Sequence, residues 1–192
     1  VVRTAIAKLH QQHQARLHWV WARLGLSPWV QVLAKLHQIA ELTKIEFSGF
    51  SPDAMAEHYV QTYWQADAAA LAAMQLTKEP HQQEIIANVL AVIYTPWLAA
   101  VAQNFQQLVQ SQGYPGQQGV QDAIATYQVK SQVVFFVDGL RFDTGQRLKA
   151  RLAERGVGVR LKTSWSALPS LTATAKAAVT PVSSMLSGVQ DN

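Results

Sequence analysis

Cysteine is absent from the chain. That excludes disulfides, thiolate zinc sites and cysteine nucleophiles, and it suits a reducing cytoplasm. A targeting signal is also missing at the start: Val1-Val2-Arg3-Thr4 is neither a charged leader nor an initiator methionine, so a chain cut from something longer is expected. Neither G-x-G-x-x-G nor G-x-x-x-x-G-K-[ST] follows the apolar run at 133–137, which removes both nucleotide-binding fingerprints. Uninterrupted hydrophobic stretches are scarce. The longest, Ile85 to Ala102, is broken by Asn88, Thr95 and Pro96, and its glutamine-rich flanks lack aromatic or basic anchors. It reads as a central buried helix kinked near Pro96, with no membrane span.

What is present is enough apolar residue, 49%, to rule out a disordered chain and to build a core. From Val1 to Gly25 the spacing of Ile6, Leu9, Leu17, Val20 and Leu24 predicts helix, with Gly25 as the stop. Ser27-Pro28 and Ser51-Pro52-Asp53 each start a further helix, with serine as cap and proline in the first turn. These helices run to about Lys44 and Leu76, and a long one follows from about His81 to Gln112. The tryptophans of this region, Trp19, Trp21, Trp29, Trp64 and Trp97, are expected mainly in the core. The glycine-rich loop 113–119 marks a boundary between a helical region, 1–115, and a second region, 116–192.

The second region has a different pattern. Residues 133–137 (Val-Val-Phe-Phe-Val) are continuously apolar and end in Asp138-Gly139, which predicts a strand covered on both faces. Asp143-Thr144-Gly145-Gln146 matches a capping box, making Asp143 a helix cap, and Arg155-Gly156 ends that helix. Residues 157–161 alternate in polarity and predict a second strand. The fold class is therefore α/β: an all-helical region followed by one β-α-β unit with its strands parallel. In such sheets ligands lie beyond the carboxyl ends of the strands, where Asp138 is placed to hold a metal or touch substrate; the alternative is a solvated acid.

Charge follows the same division. Residues 1–129 carry a net charge of −1, residues 130–176 carry +6 and residues 177–192 carry −1. The positive field surrounds Asp138 and favours an anionic substrate, a phosphate ester or a nucleic-acid backbone. Part of it is equally a solvated helix face, because Arg147, Lys149, Arg151 and Arg155 share one helix. The hydroxyls of Ser170, Thr172 and Thr174 cluster where a proline-punctuated loop enters a helix; they either cap it or serve as nucleophiles once a base or metal removes their proton.

Residues 134–143 (Val-Phe-Phe-Val-Asp-Gly-Leu-Arg-Phe-Asp) and 167–174 (Ala-Leu-Pro-Ser-Leu-Thr-Ala-Thr) together resemble the PglZ domain, an alkaline-phosphatase-superfamily component of BREX-type phage-defence systems. Upstream, Tyr59, Tyr63-Trp64, Asp67 and residues 93–98 resemble it as well, so that the likeness spans about residues 55–180. It implies an alkaline-phosphatase-like parallel sheet, incomplete in this chain. Asp138 would ligate a divalent metal, zinc by preference, and Thr172 would be the metal-activated nucleophile, with Ser170 and Thr174 as alternatives. Arg141 would hold a phosphate oxygen, or else pair with Asp143. Other BREX subunits, the DNA methyltransferase among them, are the implied partners. The chain departs from the family where later strands should add aspartate and histidine ligands: all six histidines precede Asp138. His10 and His13, three apart on a helix, lack a third ligand. The 192 residues alone are expected to bind metal weakly and to turn over little. A non-catalytic helical module that docks a defence-complex partner is the competing reading.

Overall fold

The computed structural model describes residues 1–44, 51–118, 133, 135, 137–166, 168 and 170–172. The chain divides into two compact units, Val1–Gln112 and Gly113–Asn192.

The first unit is built from helices. α1 (Val2–His13) runs into a 3-10 turn (Gln14–His18) and a single turn, α2 (Val20–Arg23). Gly25 then takes a positive φ of 73°, a conformation that glycine adopts without a Cβ penalty and that ends the segment where the sequence places its stop. α3 (Trp29–Leu42) begins after Pro28 without a side-chain cap, so the expected role of Ser27 is not seen; proline's missing N–H already removes one unpaired donor. Ser51 does cap α4 (Pro52–His58), its Oγ accepting from the Ala54 N–H at 3.2 Å. A π-turn (Tyr59–Tyr63) leads into α5 (Trp64–Gln75). The predicted long helix is two helices, α6 (Pro80–Ile93) and α7 (Thr95–Gln112), bent by 43° at Tyr94. Pro96 accounts for the break: it donates no hydrogen bond, and its ring clashes with a carbonyl one turn back. Among the described residues no single helix is long and apolar enough to cross a membrane, although the bent pair would be by length and composition only.

The main core joins α1, α3, α5 and α6 through Ile6, Val32, Leu36, Ile39, Ala40, Ile86, Leu90 and Ile93. On α5 the buried positions are Ala66, Ala69, Ala70 and Ala73, a stripe at i, i+3, i+4 and i+7. Alanine along that stripe lets α5 lie close to α3, the pair with the most extensive contact. A second cluster, Met55, Tyr63, Ala66 and Trp97, ties α4 and α5 to α7.

His10 of α1 and His37 of α3 stack with ring centroids 4.1 Å apart and planes 18° from parallel. Burial, followed by the charge of His37, lowers the pKa of His10 below its ordinary 6.5. Glu41, one turn beyond His37, has its carboxyl lowered chiefly by the Lys44 hydrogen bond, with a lesser contribution from the charge of His37. A histidine whose folded-state pKa is depressed takes up its proton more readily when unfolded, so its contribution is full well above pH 6.5 and is lost as pH falls through that value toward the folded-state pKa. The urea midpoint of the first unit is expected to drop between about pH 7.5 and pH 5.5, and His10→Gln to flatten that slope. An unchanged slope in the variant would remove His10 from this account.

The second unit corrects the expected fold class. Among the described residues there is no strand and no sheet, so the expected β-α-β unit is not seen; Val134 and Phe136 of its first strand lie outside them. Val133, Phe135 and Val137 are exposed, at 80%, 84% and 58%, and residues 157–161 have no regular structure. The reason is physical: a parallel pair needs neighbouring strands and helices over both faces, and Val133, Phe135 and Val137 are left uncovered. What does form is α8 (Phe142–Glu154), stopped by Gly156 at φ 76°. Elsewhere in this unit Tyr114 meets Trp165 edge-on at 5.5 Å and donates its hydroxyl to the Ser166 carbonyl. Residues 119–128, whose sequence allows a short helix, lie outside the described residues.

Candidate functional site

Asp138 and Gly139 form an exposed turn, with Gly139 at φ 69°, where only glycine is unstrained. Asp138 is exposed there. Three residues on, Arg141 occupies the position before α8. Its Nε donates to Asp143 Oδ1 at 2.9 Å, and Asp143 is the one charged side chain that is buried among the described residues, at 2%. Of the two roles open to Arg141, the structure thus shows the pairing. Asp143 makes no cap: α8 has no side-chain cap bond, and its carboxylate is spent on Arg141 inside the first turn, where a negative charge also suits the helix dipole. Ser170 and Thr172 are exposed, while Thr174 lies outside the described residues. Among the described residues no three histidine, aspartate or glutamate side chains are placed to hold a metal ion. Asp138 by itself does not make a zinc site, which takes three or four protein ligands.

Tyr59, Tyr94 and Asp67 converge. Tyr59 donates to Asp67 Oδ2 at 2.7 Å and Tyr94 donates to Asp67 Oδ1 at 2.6 Å, so one carboxylate fastens the π-turn and the α6–α7 break to α5. Tyr94 and Tyr63 also pack on Trp97, with centroids 5.9 Å and 6.1 Å away. Burial raises the pKa of the Tyr63 hydroxyl. The Tyr59 and Tyr94 hydroxyls and the Asp67 carboxylate are paired with one another, and they hold the bend.

A different feature was not expected from the sequence. Trp19, Trp21 and Trp29 are exposed by 48%, 58% and 41%, contrary to their expected core placement. Together with His13, Arg16 and Leu33 they line a pocket of about 210 Å³. The Arg16 guanidinium lies over the Trp19 ring, 5.3 Å from its centroid. His13 Nδ1 is buried and has no hydrogen-bond partner. One signal was available in the sequence: residues 1–40 contain five lysines and arginines and no aspartate or glutamate.

Comparison with known proteins adds no relative, since no family model, no curated protein and no solved structure matches the chain. What the described residues define is an α-helical unit with an aromatic, cationic pocket, and a second unit that presents an acidic turn before a helix.

Proposed function

We propose that the chain is part of a PglZ-like metal-dependent phosphohydrolase or phosphodiesterase that acts in the cytoplasm in bacterial anti-phage defence. The paired motifs at 134–143 and 167–174 carry this reading. Two features are compatible with it: Asp138 and Thr172 are both exposed to solvent, and Asp143 is withdrawn from metal binding by Arg141. Asp138 is the metal ligand and Thr172 the nucleophile, with Ser170 as the weaker alternative. A bound divalent metal, zinc by preference, would assist displacement at phosphorus as a Lewis acid. The described residues do not complete its site, so the reading requires further ligands from elsewhere.

The test is hydrolysis of an aryl phosphate and an aryl phosphodiester with added zinc or manganese. The 192-residue chain is expected to show little or no turnover, whereas a longer protein containing it turns over in a metal-dependent way and loses activity to background in Asp138→Ala and Thr172→Ala. Robust metal-independent turnover by the chain would refute the assignment.

A second reading, a helical module that docks another defence subunit such as the DNA methyltransferase, is favoured by the three exposed indoles. Surface aromatics grouped around a concavity are typical of protein interfaces.

A further inference from the structure

We infer that the pocket between the 3-10 turn, α2 and the start of α3 receives a single aromatic or large aliphatic side chain from an acidic segment of a partner protein. This rests on the docking reading and names the chemistry of its partner.

Size comes first. At about 210 Å³ the pocket falls below the roughly 300–1,000 Å³ of sites that enclose cofactors or drug-sized ligands, but one large side chain fits it. A buried anchor in a close-fitting pocket, with near-neutral contacts around it, is how protein interfaces concentrate their binding energy. The lining is suited to such an anchor: three indole rings and the aliphatic Leu33.

Charge sets the sign of what surrounds the anchor. Arg16 stands at the pocket itself, and among the described residues no aspartate or glutamate lines it. A cation in a lining without acids favours encounter with an acidic segment over a basic one.

The surroundings decide between classes of anionic partner. Val20, Leu24 and Leu26 are exposed by 62%, 67% and 72%, and all lie in the same stretch. Single-stranded nucleic acid prefers a track of stacking rings along a cationic groove, and aliphatic side chains offer its bases nothing to stack on. Binding in a lipid headgroup layer uses a longer amphipathic helix, whereas α2 is four residues long. Exposed aliphatic side chains in the segment that carries Arg16 and the pocket fit an acidic amphipathic peptide best.

The test uses the full chain and a twelve-residue peptide of glutamates with one central phenylalanine, followed by intrinsic tryptophan fluorescence and calorimetry. Its alanine counterpart, a twelve-nucleotide oligo-dT and phosphatidylserine-containing vesicles are the comparisons. The phenylalanine peptide is expected to bind about tenfold or more tightly than the alanine peptide, the scale of one well-buried anchor. Added salt should weaken it several-fold. Trp21→Ala and Arg16→Glu should each reduce affinity about five- to tenfold with the unfolding midpoint unchanged, both side chains being exposed. Should Trp21→Ala fail to fold, Arg16→Glu decides alone.

Equal binding of both peptides overturns the inference, and so does tighter binding of oligo-dT or of vesicles. Suppose instead that the methyltransferase co-purifies with the chain equally with and without Trp21→Ala: the docking reading then stands and the pocket assignment falls. If neither peptide nor subunit binds, both fall.

Discussion

Ile39→Ala is expected to lower the unfolding free energy of the first unit by about 3–4 kcal/mol, as a shift of the urea midpoint at unchanged slope. Ile39 is fully buried, at 0% exposure, and sits in the main cluster with Val32, Leu36, Ile86, Leu90 and Ile93. Alanine there removes three methyl or methylene carbons and leaves a cavity that neighbouring helices, fixed by their own hydrogen bonds, fill only in part. The transfer loss of about 0.8 kcal/mol per carbon accounts for most of the figure, and the cavity adds the remainder. Ile39→Val, with one carbon fewer, should cost about 1 kcal/mol. Ile85→Ala is the internal comparison: that side chain is 40% exposed and its loss should cost well below the Ile39 value. Tryptophan fluorescence is a fitting probe because Trp19, Trp21, Trp29, Trp64 and Trp97 lie in this unit and only Trp165 lies in the other. A cost under about 1 kcal/mol for Ile39→Ala would mean that the core is not organised as described.

The helical unit was legible because its signals are local. Gly25 stops its helix where it stands in the sequence, as Gly156 does in the second unit, Ser51 caps as its Ser-Pro context implies, and the apolar spacing of Leu33, Leu36, Ile39 and Ala40 marks the inner face of α3, with the last three buried and Leu33 partly so. Ser27 was misread because proline can open a helix without a capping side chain. The apolar run 133–137 was misread for a different reason. Strand propensity is mainly a statement about packing on a half-buried pleated surface, and the described residues provide no such surface for Val133, Phe135 or Val137. Asp143 lay in a capping-box pattern, yet Arg141 two residues away offered its carboxylate a charged partner, which is the stronger bond. The tryptophans at 19, 21 and 29 could not be placed from their own identity, because an indole is equally at home in a core and at an interface. Their setting was the more informative clue, since residues 1–40 contain no acid to balance Arg16 and its neighbours.

The second large effect is expected at Arg3. A cation in the first turn of α1 opposes that helix's own dipole, so its value must come from elsewhere. Its guanidinium reaches the carboxyl ends of two other helices. Nη1 donates to the Ala40 carbonyl at 2.6 Å and to Thr43 Oγ1 at 2.7 Å, and Nη2 donates to the Ile93 carbonyl at 2.8 Å. The Ala40 and Ile93 carbonyls belong to the last turns of α3 and α6, where no intrahelical donor is available. One planar fork therefore satisfies acceptors from both helices and places positive charge at their negative ends. Thr43 completes the arrangement: it is 6% exposed and donates to the Ile39 carbonyl at 2.7 Å and to the Ile93 carbonyl at 3.2 Å. Arg3→Ala strands these acceptors and is expected to cost about 2–4 kcal/mol, from charge-assisted bonds worth roughly 1.5–3 kcal/mol each and discounted for partial exposure. Arg3→Lys should recover less than half, because a single ammonium cannot span the same acceptors. Thr43→Val should cost about 1–2 kcal/mol, and combined with Arg3→Ala it should cost less than the two separately, since both side chains serve the Ile93 carbonyl. Strict additivity in that cycle, or a cost below about 1 kcal/mol for Arg3→Ala, would show that α1, α3 and α6 are held by apolar packing alone.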